Sequence, residues 1–301
     1  MLSAIILTCN EEKHLVRCLN SVKCLTQPLQ IVIVDSFSID ETINIAQSHG
    51  TKLLQHPWLN YASQFNWALS QLPADTEWVL RIDADEYLTP ELVEQIRQRL
   101  PEVGPEIDGI IFGRRMTFQG RLLRYGGVFP VKVLRLFRYG RGRCEERWMD
   151  EHIKVAGPTL EISGEIIDDN LNSLTWWTEK HNRYASREAV DLLNLEYNFM
   201  PHDSVASLKD NSQAGVKRWL KEAVYARLPG GIRAFAYFFY RYILRLGFLD
   251  GGAGAAFHIL QGFWYRYLVD AKVAEVKRYM KKTDSHVITA VHDILNIDLE
   301  A

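Results

Sequence analysis

Short apolar runs alternate with amphipathic stretches through the first hundred residues. SAIILT, QIVIVD, TKLLQ and EWVLRID are too short for buried helices and read as strands. The segment from Asn10 to about Leu25 has Leu15, Val16, Leu19 and Val22 at helical spacing. Ser38 to Ser48 reads as a second helix, with Ser38 and Glu41 spaced as a capping box. Asn60 to Leu72 is a third, and Thr89 caps a fourth with Pro90 at its first position. Strand and helix alternating at this spacing predict βαβ units, a parallel sheet and helices on both faces.

In such sheets a ligand sits beyond the carboxyl ends of the strands. Those ends carry Thr8, Asn10 and Glu11, then Asp35 and Ser36, then Asp83 and Asp85. Acids also cap helices after strands, which would account for Asp35 or Thr89 alone. For polar groups at three ends together it is the weaker account, and a ligand site the stronger.

The texture changes at Gly109. IIFGRRMTF, LRYGG and VKVLRLFRYG are strand-like and separated by glycines, which predicts an extended antiparallel part. ERWMDEHIKV and a short β stretch near Glu161 to Ile167 follow. Asn172 to Tyr197, 205–227, 232–248 and 254–281 read as helices.

Charge adds a boundary. The net charge of -2 gives no sign of a nucleic-acid partner. From Ala226 to Lys282, however, ten Lys/Arg face three acids, so this segment is +7 and the remainder -9. The same segment is crowded with aromatics. A catalytic domain over 1–225 and a basic, aromatic helical extension over 226–301 are expected. In that extension Arg233, Arg241 and Arg245 fall within about a third of the helix circumference. The uncharged runs are shorter than the ~20 residues of a spanning helix. This pattern suits either a helix lying on an anionic membrane surface or one packed on the catalytic domain or a second copy. The four cysteines have no zinc spacing and fit a reduced setting. The N-terminus runs directly into a strand, without the basic region and cleavage site of a signal peptide.

Asp83 and Asp85 flank Ala84 at a strand tip. In an extended strand, residues i and i+2 point the same way, so both carboxylates would reach one ligand. Two such acids repel unless a cation joins them, and hard oxygens select Mg²⁺ or Mn²⁺ with substrate phosphates. An isolated acidic pair of this kind is usually a solvated turn. There is no Walker A sequence and no GxGxxG, so a nucleotide would have to be held otherwise. Asp35 is placed to accept from a base N–H, and Thr8 and Glu11 to bond base or ribose.

ILTCNEE, VIVDSFSIDET, YASQFNWAL and RIDADE occur in this order, and together they resemble the family 2 glycosyltransferases of GT-A fold. WMDEHI, WWTEKHNRY and YRYILRLGFLDG extend the likeness to the branch that builds lipopolysaccharide core, O-antigen or capsule. The resemblance implies a Rossmann-like, mostly parallel sheet with a C-terminal helical extension. It also implies an inverting transfer of sugar from a nucleotide-sugar, UDP-linked by default, to a glycan or lipid-linked acceptor. It puts Thr8, Asn10, Glu11 and Asp35 around the nucleoside and Asp40, Gln64 and Asn66 near the nucleotide. Asp83 would face ribose and metal, and Asp85 would bind Mn²⁺ or Mg²⁺ directly. The chain departs from the family pattern at Phe37, where Gly is common, and at Gln64 and Phe65, where many relatives have Arg.

An inverting displacement needs a base opposite the leaving diphosphate. Asp150 and Glu151 in WMDEHI are the paired acids in the right part of the chain, with Glu151 preferred. His152 would complete the metal shell or orient the acid. His181 would contact phosphate or acceptor, or simply pack. The implied setting is the cytoplasmic face of the inner membrane, with a homo-oligomer as a possible assembly. Two rival classes share the sheet and the acids. One is a sugar nucleotidyltransferase, which would want a glycine-rich, lysine-bearing loop that ILTCNEEKHL does not supply. The other is a silent nucleotide-binding scaffold.

Overall fold

The computed structural model describes residues 1–145, 151–200 and 231–299. The chain forms two compact units, Met1–Arg124 with Val128–Asn172, and Tyr125–Gly127 with Ser173–Ala301. The units therefore change over at Asn172/Ser173, whereas the charge boundary at 225/226 lies outside the described residues.

In the first unit, β1 (Leu2–Thr8), β2 (Leu29–Asp35), β3 (Lys52–Gln55) and β4 (Trp78–Arg81) pair in parallel, in the order β3-β2-β1-β4. β1 and β2 are buried on both faces, which is why they are near-continuous apolar runs. Alternate residues serve two cores. Ala4, Ile6, Ile31 and Ile33 pack with Leu15 and Leu19 of α1 (Leu15–Val22) and Leu92 and Ile96 of α4 (Pro90–Arg99). Ile5, Val32 and Val34 pack instead with Ala62, Phe65 and Ala68 of α3 (Tyr61–Ser70). The chain leaves β1 towards β2 and β3, then returns with β4 on the other side of β1. This is a topological switch point, where α/β sheets open a crevice.

Beyond β4 the sheet is mixed. β5 (Glu86–Leu88), β6 (Gly109–Phe118), β8 (Val131–Arg138) and β11 (Thr159–Asp168) continue it in the order β4-β8-β6-β11-β5, and β7 (Arg121–Leu122) pairs with β6. The expected antiparallel part is present in β4-β8 and β6-β8, but β11 joins β6 in parallel. A register shift in β11 contains Gly164, at φ +95°. A Cβ there would lie 2.6 Å from Leu92 Cα, so the glycine lets α4 close onto the sheet.

Two helix starts differ from the sequence pattern. α1 begins at Leu15, not Asn10, because Asn10 takes φ 59° and binds the loop after β2. α2 (Thr42–Ser48) begins four residues after Ser38, and the Ser38–Glu41 capping box does not form. Asp40 does that work, accepting from Thr42 N–H at 3.0 Å. The Asn60 and Thr89 caps form as expected, with their side chains accepting from Ser63 and Leu92 N–H.

The second unit is helical. α5 (Leu174–Tyr197) is capped by Ser173. α6 (Ile232–Phe239) widens into a π-helical turn through Leu244. α7 (Gly251–Phe257) runs through a second π-helical stretch, His258–Trp264, into α8 (Tyr265–Thr283). α9 (Val287–Leu295) was not legible in the sequence. Ala185 and Ala189 pack on Tyr265 and Val269, and Val190 and Leu193 on Val276 and Val291. The helix expected over 205–227 lies outside the described residues. Among the described residues no single helix is long and apolar enough to cross a membrane.

Candidate active site

The carboxyl ends of β1 and β2 carry one polar network, and the turn after β4 carries another. Thr8 and Asp35 are register partners, and the Thr8 hydroxyl donates to Asp35 Oδ1 at 2.9 Å. Asp35 is fully buried and also accepts from Ser38 N–H at 2.8 Å and from the Ser38 hydroxyl. Asn10 closes the same loop. Its N–H donates to Ser38 Oγ at 2.8 Å and its Oδ1 accepts from Ile39 N–H at 2.9 Å. Phe37 sits inside this loop at φ 56° with its side chain exposed. Phe37 thus takes the left-handed conformation that Gly adopts without strain. A left-handed residue with a Cβ is held there, at a cost of about 1–2 kcal/mol, by the bonds on either side of it.

Glu11 and Asp40 brace the neighbouring loop. Glu11 N–H donates to Thr42 Oγ1 at 2.8 Å, and Glu12 N–H to Asp40 Oδ2 at 3.1 Å. Burial alone would raise the Asp40 carboxyl, but bonds from Thr42 and Glu12 outweigh it and hold it below the usual range. The Glu11 carboxylate lies 2.6 Å from Nδ1 of buried His14, whose Nε2 accepts from Leu171 N–H at 2.9 Å. Because Nε2 accepts, the proton is on Nδ1 and points at Glu11. His14 was not singled out in the sequence. Its signal is a polar residue at a position that shares a helix face with Cys18 and Val22.

Gln64 and Asn66 act on the protein itself. Gln64 is fully buried, donates to Ser36 Oγ at 3.0 Å and to the His56 carbonyl at 3.1 Å, and accepts from His56 Nδ1–H at 2.7 Å. Asn66 clamps the Cys144 backbone, donating to its carbonyl and accepting from its N–H, both at 3.0 Å. Cys144 ends β9 (Gly142–Cys144), which pairs with β10 (Ile153–Val155). Asn66 therefore anchors the β9–β10 pair, and Glu151 and His152 directly precede β10. Asp150 lies outside the described residues. Glu151 is partly buried, and its carbonyl accepts from Arg81 Nη1 at 3.2 Å. His152 is exposed, and its carbonyl accepts from Glu145 N–H in the hairpin.

The extended geometry expected for Asp83 and Asp85 is not found. β4 stops at Arg81, and Asp83-Ala84-Asp85-Glu86 is a turn closed by Glu86 N–H to the Asp83 carbonyl at 2.9 Å. Asp83 accepts from Tyr61 Oη–H at 2.5 Å and from Arg135 at 3.0 Å. Arg81 donates to the same Tyr61 oxygen at 2.8 Å and lies over its ring. Burial would raise Asp83, but Arg135 and Arg81 hold it well below the usual carboxylate range. Asp85 accepts from Asn170 at 3.0 Å, and its carbonyl accepts from Asp169 N–H at 3.0 Å.

Glu86, given no role by the sequence, is the centre of this turn. It is buried, its Oε2 accepts from Asp83 N–H at 3.0 Å, and its Oε1 accepts from Arg135 at 2.8 Å, with Arg114 at 3.2 Å. Burial and the Asp83 carboxylate push Glu86 up to about 7, against Arg135 and Arg114. Burial also raises Asp168. Arg114, paired with it, opposes that, and the nearby Asp85 and Asp83 carboxylates add to it. Arg81, Arg135 and Tyr61 were missed in the sequence. Arg135 had a signal, a charge inside the apolar run VKVLRLF.

These acids fit a hard divalent cation only in part. Crowding of Asp83, Asp85 and Asp168 is the field a cation relieves. Both Asp83 oxygens are already engaged, so Asp85 is the better placed direct ligand. Among the described residues no three His, Cys, Asp or Glu side chains form a metal-binding group, so His152 does not join Asp83 and Asp85 in one. A Mg²⁺-like ion held by one or two carboxylates, water and phosphate needs no such group.

His181 belongs to the second unit. Its Nδ1–H donates to the Trp177 carbonyl at 2.9 Å, its ring stacks on Trp177, and burial pushes it down to about 4. It is a packed, neutral histidine there.

Residues 3–149 match the model of glycosyl transferase family 2. An uncharacterized glycosyltransferase of Rickettsia typhi is 43% identical over 95 residues, 32% of this chain and 31% of that one. The lipopolysaccharide core biosynthesis glycosyltransferase LpsC of Rhizobium meliloti is 38% identical over 153 residues, 48% of this chain and 53% of that one. The matches thus span a third to a half of these curated relatives. Among solved structures, S. aureus TarS 1–349 in complex with UDP-GlcNAc is 15% identical with a TM-score of 0.41, covering 92% of this chain and 91% of that one. Residues 3–149 of this chain are a glycosyl transferase family 2 domain.

Proposed function

We propose that the protein is an inverting glycosyltransferase. It moves a sugar from a nucleotide-sugar, with UDP the first nucleotide to test, to a glycan or lipid-linked acceptor in lipopolysaccharide or capsule assembly. The observation that carries this reading is the gathering of bonded polar groups at the carboxyl ends of three parallel strands, with the Thr8, Asp35 and Asn10 loop at β1 and β2 and the Asp83–Glu86 turn after β4. The family 2 match over the same residues supports it.

In this reading Asp35, Thr8 and Asn10 shape the nucleoside wall, and Asp40 and Gln64 keep its loops in place. Asp85, with Asp83 beside it, would hold Mn²⁺ or Mg²⁺, which when bound offsets charge on the leaving diphosphate. Glu151 is the base, with Asp150 beside it. Arg81 links the Glu151 backbone to Tyr61 and so to Asp83, which sets the base next to the acidic turn. The enzyme works at the cytoplasmic face of the inner membrane, and a second copy would be compatible with it.

A panel of nucleotide-sugars scored by melting temperature, with and without Mn²⁺, tests the donor. A metal-dependent shift with UDP but not UTP supports the transferase, and no shift with any nucleotide refutes it. Asp85→Ala should abolish donor turnover in folded protein. Glu151→Gln and Asp150→Asn are to be compared at saturating donor. If neither lowers kcat by about 10²-fold, the base lies elsewhere.

A further inference from the structure

The second unit contains a stretch whose polarity is reversed. From Ile232 to Trp264 four of the five Arg, Asp and His side chains, Arg233, Arg241, Asp250 and His258, are less than 9% exposed, and the fifth, Arg245, is exposed. The side chains facing outward are Ile232, Phe235, Phe239, Ile243, Leu244, Leu246, Phe248, Leu249 and Ile259, each more than 40% exposed. Water selects the opposite arrangement, in which long charged side chains stay outside unless paired. An apolar patch this continuous marks a surface with a partner.

The buried Arg and Asp charges are satisfied internally, whereas neither ring nitrogen of His258 has a hydrogen-bond partner among the described residues and burial, with the nearby Arg241, pushes its pKa down to about 4. Arg233 donates to Asp270 through Nε at 2.6 Å and through Nη2. Arg241 donates to the Gly126 carbonyl at 2.8 Å and to Tyr237 Oη and Gln261 Oε1, both at 3.1 Å. Asp250 accepts from Tyr125 N–H at 2.9 Å. Arg and Asp side chains turned inward and bonded there, with apolar ones outward, are what a hydrocarbon surrounding demands. The cationic stripe expected of Arg233, Arg241 and Arg245 is therefore not present, since only Arg245 is exposed.

Helix geometry limits how deep this stretch goes. Ile232–Leu244 and Gly247–Thr283 together are apolar enough for a membrane segment, but they bend by 69° at the break. The first arm, at 1.5 Å per residue, is about 20 Å long, short of the ~30 Å hydrocarbon core. Such a bent pair suits one leaflet. Arg245, next to the break, has a stem long enough to reach a phosphate layer from an interfacial position.

We infer that residues 232–264 form an apolar wedge that inserts into one leaflet of a lipid bilayer, held by hydrocarbon burial and not by headgroup charge. The occupant is lipid because internal satisfaction of the charges would bring no advantage against a second protein surface offering its own polar partners.

The test is vesicle flotation of the full chain. Phosphatidylcholine vesicles and phosphatidylcholine–phosphatidylglycerol vesicles are compared at 0.1 M and 1 M NaCl. The wedge predicts flotation with both, retained at 1 M salt. Phe235→Asp with Leu244→Asp should lower the floated fraction tenfold or more. Both positions are exposed, so the melting temperature of this variant should stay within a few degrees of the parent. Flotation only with anionic vesicles, with release by salt, would overturn the inference, because it is the electrostatic alternative. Equal flotation of variant and parent would overturn it too. So would a parent dimer that becomes monomeric in the variant without any vesicle binding, since a second copy then covers the face. The nucleotide-dependent melting shift is read on the same protein. Its loss with flotation retained would count against the proposed reaction alone.

Discussion

Glu86→Gln isolates one buried charge at the acidic turn, and its effect on stability can be worked out with its sign. Glu86 is raised from an ordinary 4.5 to about 7 by burial and by Asp83. Between those values the native state keeps a proton that the unfolded chain has released. Stability therefore falls as pH rises through this window, by about 1.4 kcal/mol per pH unit at most and about 3 kcal/mol in all. Asp83 works at the other end. Its native value is depressed, so its contribution is present above about pH 4 and is lost only as pH falls below that. Glutamine imitates the protonated acid and does not titrate. At pH 5 variant and parent should differ by no more than about 1 kcal/mol. At pH 8 the variant should be the more stable of the two by up to about 3 kcal/mol. It should also be the poorer enzyme, because an amide cannot accept from both Asp83 N–H and Arg135, and the turn loosens. The assay is urea unfolding from pH 5 to pH 8, with donor kcat/KM measured alongside. A variant less stable than the parent at pH 8 would refute the reasoning, and would mean that the Arg135 and Arg114 pairs outweigh the burial cost.

Asn66→Ala should destabilise the protein by about 2–4 kcal/mol, because it strips both bonds from the buried Cys144 backbone. If the hairpin carries the base, kcat should fall more than donor KM changes, which steady-state kinetics would separate. Gly164→Ala should cost about 3 kcal/mol or more, since a Cβ would meet the Leu92 backbone at φ +95°. An unchanged melting temperature would show that α4 has room to shift.

The β1-to-β4 half of the fold was readable because its strands are buried on both faces and its helices on one, so periodicity reports directly on burial. The direction of β11 was not readable. Antiparallel and parallel pairing leave the same alternation in a single strand, and only the partner decides. At the site, Thr8 and Asp35 stood at strand ends, where polarity breaks an apolar run, whereas Asp85 lies in the turn beyond β4. The work of Asn66 was hidden, because a side-chain amide that binds a backbone 78 residues away has no local pattern. Arg233 and Arg241 misled for a related reason. A helical wheel gives the angle of a side chain and not what lies on that side, and Asp270 was 37 residues along the chain.

One consequence concerns the closure of the sheet. β4 and β5 stand four pairings apart in strand order, yet only four residues, or five Cα steps, separate Arg81 from Glu86. Laid flat, four spacings of about 4.8 Å would need ~19 Å, more than the ~17 Å that five Cα steps reach when fully extended, and this segment folds into a turn. The sheet must therefore curl until its far edge returns to β4, and the acidic turn is the clasp across that gap. β5 is three residues long, too little to hold an edge by its own ladder. Undoing the clasp would release the curvature as well as the carboxylates, so this protein cannot rearrange its acids without also uncoiling its sheet.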